Sequence, residues 1–289
     1  MTAALPPAAI PAGTRSWPAA IRLVFAKGPR RTDMVRCVHY GPLRVQRPFY
    51  PEGECCHCYL LHPPGGIAPG DDLRVDVTVL AGAEALLTTP SAGRVYRTDE
   101  AGTAQAQGVT ATVEKDACLE WLPQETIVFD GASVALTNTF ELESGANLLA
   151  WEILVLGRRA SGESYTSGRC LQHLQVRREG RWLLNERSEF NAGDPMLMAH
   201  WGMAGASVTA TLLATVDTDL AERDRLREGL AVFESDRALW GLTQKPGVLI
   251  CRYLGHSPEQ ARKGFAWLWS SLRPLLSGRD ASPPRIWNT

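Results

Sequence analysis

Polar and apolar residues alternate along much of the chain between residues 21 and 212. Residues 74–79 change from polar to apolar at every step, and a period of two is typical of a strand with one buried face. A turn at residues 81–82 follows, and the apolar run 85–88 comes next. The pattern therefore predicts that this part of the chain is mainly β.

The same plan of strand, turn and strand recurs twice more. Residues 109–113 lead through a short turn into 118–122, and residues 134–142 lead through another turn into 148–156. The residue pairs Gly82 and Ala83, Asp116 and Ala117, and Gly145 and Ala146 occupy comparable places in the three turns. Three such units predict stacked hairpins, each burying a face on the next.

A first helix is predicted after residue 218. Asp219 and Glu222 have the spacing of a capping box, which satisfies free backbone N–H groups at a helix start. Leu226, Leu230 and Phe233 then fall on one helical face, while charged residues fall elsewhere. This spacing predicts an amphipathic helix with one buried side.

A second helix is predicted to start at Ser257, with Pro258 at its first position. An apolar stripe at helical spacing follows, formed by Phe265, Leu268, Trp269 and Leu272. Pro274 is predicted to end the helix. Trp267 lies off the stripe, so it is available to a partner or lies against a neighbouring strand.

The overall prediction is a mainly β protein, in which stacked hairpins form a β-sandwich or an irregular β-helix-like body. Two α-helices are expected in its C-terminal third. Residues 1–16 are rich in Ala and Pro and are predicted to be a mobile tail. Residues 17–289 are predicted to form a single β-rich domain.

Composition narrows the class of protein. The 289 residues are 45% apolar and 21% charged, which is ordinary for a globular protein, and the net charge of -1 gives no field that attracts nucleic acid or an anionic membrane. There is no apolar run of about 20 residues and no signal-peptide core. We therefore expect a cytoplasmic protein whose seven cysteines are reduced thiols.

Soft metal ligands cluster at Cys55, Cys56, His57, Cys58 and His62. Sulfur and imidazole nitrogen are ligands that hold nickel or zinc. Because neighbours on a strand point to opposite faces, Cys56 and Cys58 are predicted on one side and Cys55 and His57 on the other. The alternative is a buried strand whose cysteines act as small hydrophobic residues, with His62 capping the turn that follows.

Four carboxylates lie beside residue types that are normally buried: Glu125, Asp130, Glu152 and Glu163. Partly buried carboxylates mark a binding, metal or proton-transfer site, or a structural ion pair. Spaced along a water-filled path, they would carry a divalent cation that has to be released. The alternative is ion pairing that ties strands together. The nearby candidate partners are Arg94, Arg97, Arg158 and Arg159.

Several long motifs carry a family resemblance. They are, in chain order, GPLRVQRPFYPEG at 41–53, HPPGG at 62–66, GD at 70–71, EWLPQETIVFDGA at 120–132, WEILVLGR with ASGE at 151–163, and PPRIWNT at 283–289. In this order they resemble the urease accessory protein family UreD, called UreH in some organisms. The resemblance covers about residues 20–289, so residues 17–289 are expected to form one UreD-like domain.

The resemblance implies a maturation factor that has no enzymatic activity of its own. Such a protein joins a UreF-like accessory protein and, through the complex, a UreG-like GTPase to apo-urease, and it assists nickel delivery as a chaperone for metal insertion. No tightly bound cofactor is implied, only nickel in transit. Cys56, His57 and His62 match family positions, whereas Cys55 and Cys58 look particular to this chain. The predicted nickel path comprises Glu125, Asp130, Glu152, Glu163, Cys56, His57 and His62.

Two alternatives belong to other classes of protein. A β-rich glycoside hydrolase would use two of Glu125, Asp130 and Glu152 as acid and base. A general protein-interaction scaffold would never touch metal. The sequence lacks the GxSxG, HExxH, GxxxxGK and GxGxxG motifs of common enzyme classes and nucleotide sites, so any GTP hydrolysis belongs to a partner.

Overall fold

The computed structural model of the protein describes residues 16–235 and 238–288. The predicted mobile tail therefore lies outside the described residues, except for Ser16. The strands, in chain order, are β1 (Trp17–Lys27), β2 (Thr32–Tyr40), β3 (Arg44–Val45), β4 (Cys56–Leu61), β5 (Asp71–Val79), β6 (Glu84–Thr88), β7 (Gly93–Val95), β8 (Gln105–Val113), β9 (Cys118–Leu122), β10 (Thr126–Val128), β11 (Ser133–Leu142), β12 (Asn147–Leu156), β13 (Arg169–Arg178), β14 (Arg181–Asn191), β15 (Val208–Ala214), β16 (Leu239–Lys245) and β17 (Val248–Gly255). The α-helices are α1 (Leu220–Ala231) and α2 (Pro258–Ser277), and short 3-10 turns cover Arg159–Ser161, Pro195–Leu197 and Arg285–Asn288.

These strands form two sheets that pack face to face. The seven-stranded sheet has the order β14-β13-β11-β8-β5-β1-β2. The ten-stranded sheet has the order β16-β17-β15-β12-β9-β6-β4-β3, with β10 pairing β12 and β7 pairing β10. The prediction of a mainly β fold with two late helices is confirmed, and the body combines a sandwich with β-helix-like parallel stacking.

The predicted hairpins are wrong, because the two strands of each unit lie in opposite sheets. β5 pairs with β8 and β8 with β11, all parallel, while β6 pairs with β9 and β9 with β12, also parallel. Each turn therefore carries the chain across the core rather than back along the same sheet. Both strands of a unit then bury their apolar faces against each other, as facing sheets require.

The three turns stack directly on one another. Gly82 N donates to Lys115 O at 3.0 Å, and Asp116 N donates to Ser144 O at 3.2 Å. Gly82, Asp116 and Gly145 all have a positive φ, of 67°, 56° and 69°, the left-handed conformation that redirects the chain. The equivalence of the three turns, read from the sequence, is confirmed.

Strand β12 contributes side chains to two cores and so joins three layers of structure. Leu148, Ala150 and Leu154 pack in the core between the sheets, whereas Leu149 and Trp151 pack in a second core under the helices. A strand buried on both faces reads as a continuous apolar run. The ten-stranded sheet is therefore the middle layer, between the seven-stranded sheet and the two helices.

Helix α2 begins as predicted and ends later than predicted. The Ser257 side chain accepts a hydrogen bond from Gln260 N at 3.1 Å, and the predicted apolar stripe is fully buried. Pro274 lies inside the helix, which continues to Ser277 and ends at Gly278, with φ 68°. A proline near the end removes only one backbone donor, so the last turn survives.

Helix α1 begins at its predicted cap, where the Asp219 side chain accepts from Glu222 N at 2.8 Å. Phe233 lies just beyond the end of the helix and contacts Trp267 of α2, with ring centroids 6.4 Å apart. Trp267 therefore packs against α1 and the residues after it, and not against a strand as one of its two predicted environments had it. In the described part of the chain, no helix combines the length and apolarity needed to cross a membrane.

Candidate functional site

A cavity of about 440 Å³ lies between the two sheets. Its walls are mostly apolar, and they come from the inner faces of β5, β8 and β11 on one side and of β9 and β12 on the other. Its polar lining includes His62, Arg94, Gln107, Asn138, Glu152 and Gln172. A concave, largely apolar space with a few convergent polar groups is the usual form of a binding site.

Glu152 reaches this cavity because of its place in β12. Even-numbered residues of that strand face the space between the sheets, as Ala150 and Leu154 do. The carboxylate accepts hydrogen bonds from Asn138 Nδ2 and, at 2.7 Å, from Gln172 Nε2. Burial raises the pKa of Glu152 to about 7, against the lowering effect of these two hydrogen bonds. This carboxyl group therefore gains or loses a proton near neutral pH.

His62, the first residue after β4, lines the same cavity. Its carbonyl accepts from Gly65 N at 2.9 Å, which closes the predicted turn. Burial lowers the pKa of His62, although the nearby Asp71 opposes the shift. The imidazole is thereby favoured in its neutral form, the form that binds metal ions. Two of the predicted path residues, Glu152 and His62, thus line the same cavity.

Asp130 and Glu163 lie together outside the cavity lining. Asp130 Oδ1 accepts from Thr166 N and Ser167 N, both at 2.7 Å, and Asp130 N donates to Glu163 Oε1 at 3.1 Å. Burial acts to raise the pKa of Asp130, but these hydrogen bonds lower it overall. The two carboxylates therefore brace the loop between β12 and β13.

Two of the four candidate arginines pair with these carboxylates. Arg158 Nη2 lies 2.6 Å from Glu163 Oε2, and Arg97 Nη2 lies 3.5 Å from Asp130 Oδ2. The hydrogen bond from Arg158 lowers the pKa of Glu163. For Asp130 and Glu163 the structural alternative, pairing with arginine, is thus present.

Glu125 belongs to neither group. It lies just before β10, where its carbonyl accepts from Gly93 N at 2.8 Å and positions β7 beside β10. Glu125 is not among the described residues that line the cavity. The four predicted carboxylates therefore do not form one continuous row.

The cysteines and His57 alternate across the ten-stranded sheet, as predicted. Cys56 and Cys58 pack into the core between the sheets, whereas Cys55 packs under the helices. His57 shares the side of Cys55, and its Nε2 lies 2.6 Å from Glu52 Oε1. Cys56, His57 and His62 are consequently directed to three different surroundings and do not converge on a single ion.

A buried ionic cluster is the main feature that sequence reasoning missed. Arg273 of α2 pairs with Glu52 at 2.7 Å and with Glu120 at 3.0 Å, and Trp269 Nε1 donates to Glu120. Two signals for it exist in the sequence. Glu120 interrupts the apolar strand β9, and Arg273 follows the apolar stripe of α2, so each needs a buried partner of opposite charge.

Comparison with known proteins decides the family. The model of the family described as UreD urease accessory protein matches residues 18–288. The chain is similar to the urease accessory protein UreD of Saccharophagus degradans, with 46% identity over 281 residues that cover 96% of this chain and 95% of the relative. The corresponding protein of Dechloromonas aromatica is 46% identical over 291 residues and is covered in full. The chain belongs to the UreD family.

Membership of the UreD family gives the chain an accessory role in urease maturation. The resemblance predicted from the motifs is confirmed, and so is the expectation that the chain is not an enzyme, since UreD proteins are accessory proteins. The glycoside hydrolase alternative is set aside on that ground. In this UreD protein the family-like residues His57 and His62 lie on opposite sides of the ten-stranded sheet, and only His62 lines the cavity.

Proposed function

We propose that this UreD protein joins a UreF-like accessory protein and a UreG-like GTPase to apo-urease, and that its inter-sheet cavity assists nickel on its way to the urease active site. The observation that carries the proposal is Glu152, a carboxylate placed between two sheets and held there by Asn138 and Gln172. A carboxylate adds no apolar contacts to the core between the sheets, and its burial there is unfavourable by itself. Nickel is the cargo of the proposed route.

The chemistry of the lining supports passage rather than tight binding. Carboxylate and amide oxygens hold nickel weakly compared with thiolates, so a cation held by Glu152 and nearby amides exchanges readily. Because the pKa of Glu152 is about 7, a cation that binds the carboxylate anion displaces its proton at a small free-energy cost near neutral pH. Glu152 is therefore suited to bind and release a divalent ion near neutral pH.

The space is also suited to water. Trp121 lines the cavity, and its buried Nε1 has no hydrogen-bond partner among the described residues. A donor of this kind, on the wall of a cavity of about 440 Å³ that also carries a few polar side chains, is normally satisfied by water. Water along the route would keep a moving cation solvated where protein ligands are sparse.

The other predicted path residues have a weaker case. Asp130 and Glu163 are engaged by loop N–H groups and by arginines, which supports a bracing role for both. Cys56 packs among apolar residues, and burial raises the pKa of its thiol to about 11. The proposed route therefore depends first on Glu152 and His62.

Exposed apolar side chains support a docking role. Met198 and Trp201 lie on the segment between β14 and β15 and are 73% and 79% exposed. Exposed tryptophan is favoured as an anchor in protein interfaces. The sequence contains no nucleotide-binding motif, so in the proposed complex the UreG-like partner hydrolyses GTP.

The test is urease nickel content in cells that carry a complete urease gene cluster, with this chain deleted, restored, or restored as Glu152→Ala. Deletion is expected to leave abundant, nickel-poor, inactive urease, and restoration is expected to rescue it. Glu152→Ala is expected to co-purify with the partners and to lower the nickel content of urease. Glu125→Ala, outside the cavity lining, is the matched control.

Two results would count against the proposal. Full nickel loading in the deletion strain would remove the maturation role in that cell. Full loading with Glu152→Ala, in a variant that still assembles, would remove the cavity from the route and leave a scaffold that never touches metal.

A further inference from the structure

Three ligand types meet on the face of the ten-stranded sheet that lies under α2. The side chains are Glu52, Cys55 and His57, and their ligating atoms all lie within 4.8 Å of one another. Cys55 is 1% exposed and His57 is fully buried. This place is on the opposite side of the sheet from Cys56 and Cys58, and it is separate from the inter-sheet cavity.

His57 carries a buried nitrogen that the protein does not satisfy. Its Nε2 lies 2.6 Å from Glu52 Oε1, whereas its Nδ1 has no hydrogen-bond partner among the described residues. The protein therefore satisfies only one of the two ring nitrogens of this buried imidazole. A cation between the two side chains would bind His57 Nε2 together with Glu52 Oε1, in place of their hydrogen bond, and the ring proton would then lie on Nδ1.

The net charge of the surrounding groups favours the binding of a cation. Glu52 and Glu120 share the single guanidinium of Arg273, so the ion-paired cluster has one more negative than positive charge. Ligation by Cys55 as a thiolate adds a second uncompensated negative charge, its proton passing to solvent. One divalent cation makes the buried cluster neutral, which low-dielectric surroundings favour.

We propose that Glu52, Cys55 and His57 form a resident site for a borderline-soft divalent cation of the Zn²⁺ class. Thiolate sulfur and imidazole nitrogen select such ions, and they disfavour Ca²⁺ and Mg²⁺, which prefer oxygen ligands. Because Glu52 is also paired with Arg273 of α2, a cation here would fasten the helix layer to the sheet. The site is independent of the proposed nickel route, and it departs from the expectation that no metal is tightly bound.

The experiment uses the full-length purified chain, stripped of metal with a chelator and titrated with Co²⁺ as a spectroscopic probe and then with Zn²⁺ in competition. We expect one equivalent of Co²⁺ to give a thiolate-to-cobalt charge-transfer band that Zn²⁺ abolishes. Cys55→Ser is expected to lose the band and to weaken binding more than about 100-fold, since the loss of a supporting group alone costs 10–100-fold. His57→Gln is expected to weaken binding at least about 10-fold.

Cys58→Ser is the matched control, because Cys58 is equally buried but faces the core between the sheets. It should keep the charge-transfer band and the Zn²⁺ affinity of the unmodified chain. As a second measurement, Zn²⁺ should raise the unfolding temperature of the unmodified chain and of Cys58→Ser, and not that of Cys55→Ser.

The proposal is overturned if the folded, unmodified chain gives no charge-transfer band with Co²⁺. It is equally overturned if Cys55→Ser, shown to be folded by circular dichroism, binds Co²⁺ and Zn²⁺ as tightly as the unmodified chain. Neither result affects the nickel-loading test of Glu152, which uses a different residue and a different readout.

Discussion

Arg273 Nε donates to both carboxylate oxygens of Glu120, each at 3.0 Å, although 153 positions separate the two residues in the chain. Arg273 is fully buried and Glu120 is 2% exposed. Burial raises the pKa of Glu120, and the guanidinium opposes that shift. Because Arg273 belongs to α2 and Glu120 to β9, this contact fixes where the helix layer lies on the ten-stranded sheet.

Removing Arg273 should be strongly destabilising. In Arg273→Met, Glu120 stays buried and Glu52 partly buried without their shared cation, and a broken buried pair costs about 3–5 kcal/mol. Urea denaturation measures the free energy of unfolding. The control is Arg252→Met, whose pair with Glu186 is partly exposed, with an expected cost below about 1 kcal/mol. Equal costs for the two variants would contradict a special role for the buried pair.

Glu152 should make the stability of the protein depend on pH in the mildly acidic range. Its pKa rises from 4.5 in the unfolded chain to about 7 in the folded protein, so between these values the folded state holds the extra proton. The free energy of unfolding therefore falls as pH rises from about 4.5 to about 7, by about 3 kcal/mol in all.

The measurement is denaturation at several pH values with Glu152→Gln, which cannot ionise. The free energy of unfolding of the unmodified chain, relative to that of the variant, should fall by about 3 kcal/mol between pH 4.5 and pH 7. Above pH 7 the difference between the two proteins should be constant. Glu228→Gln, on the exposed face of α1, should show no such dependence. A pH-independent difference for Glu152→Gln would show that Glu152 keeps an ordinary pKa.

Asp130 should order the loop between β12 and β13. In Asp130→Ala the N–H groups of Thr166 and Ser167 lose their acceptor, so we expect a cost of about 1–3 kcal/mol. Hydrogen exchange should become faster at these two amides and remain unchanged in β5. Glu125→Ala serves as the control, because its side chain is outside this loop. Unchanged exchange at Thr166 and Ser167 would remove the bracing role.

Local patterns were sufficient for the elements but not for their pairing. The alternation in β5 and the cap at Ser257 depend on neighbours in sequence, and both were predicted correctly. Whether β5 pairs with β6 or with β8 depends on residues more than thirty positions away, because an alternating strand has the same pattern in a hairpin and in a parallel stack. The hairpin interpretation failed for this reason.

The same limit applies to the candidate site. Alternation along β4 correctly separated Cys56 from His57. The contacts of Arg273 with Glu52 and Glu120 could not be predicted from local pattern, since they join segments 221 and 153 positions apart. Glu152 was selected from its apolar neighbours, but the amides that hold it come from β11 and β13 in the opposite sheet.

The stacked turns permit a test of the β-helix-like arrangement. A Cβ added at Gly145 would lie 2.1 Å from Asp116 Oδ1, whereas one added at Gly82 would meet nothing within 4 Å. Both glycines have positive φ, so Gly82→Ala should cost about 1–2 kcal/mol from backbone strain alone. Gly145→Ala should cost more, since the Asp116 side chain must also move.

Replacing Asp116 by glycine removes the group with which the new methyl collides. The double variant Asp116→Gly with Gly145→Ala should therefore recover the excess and cost about as much as Gly82→Ala. Urea denaturation of the two single variants and the double variant gives the coupling energy, expected at 0.5 kcal/mol or more, a typical value for residues in contact. Strict additivity would mean that the turns containing Asp116 and Gly145 do not stack, and that the parallel arrangement of β8 and β11 is incorrect.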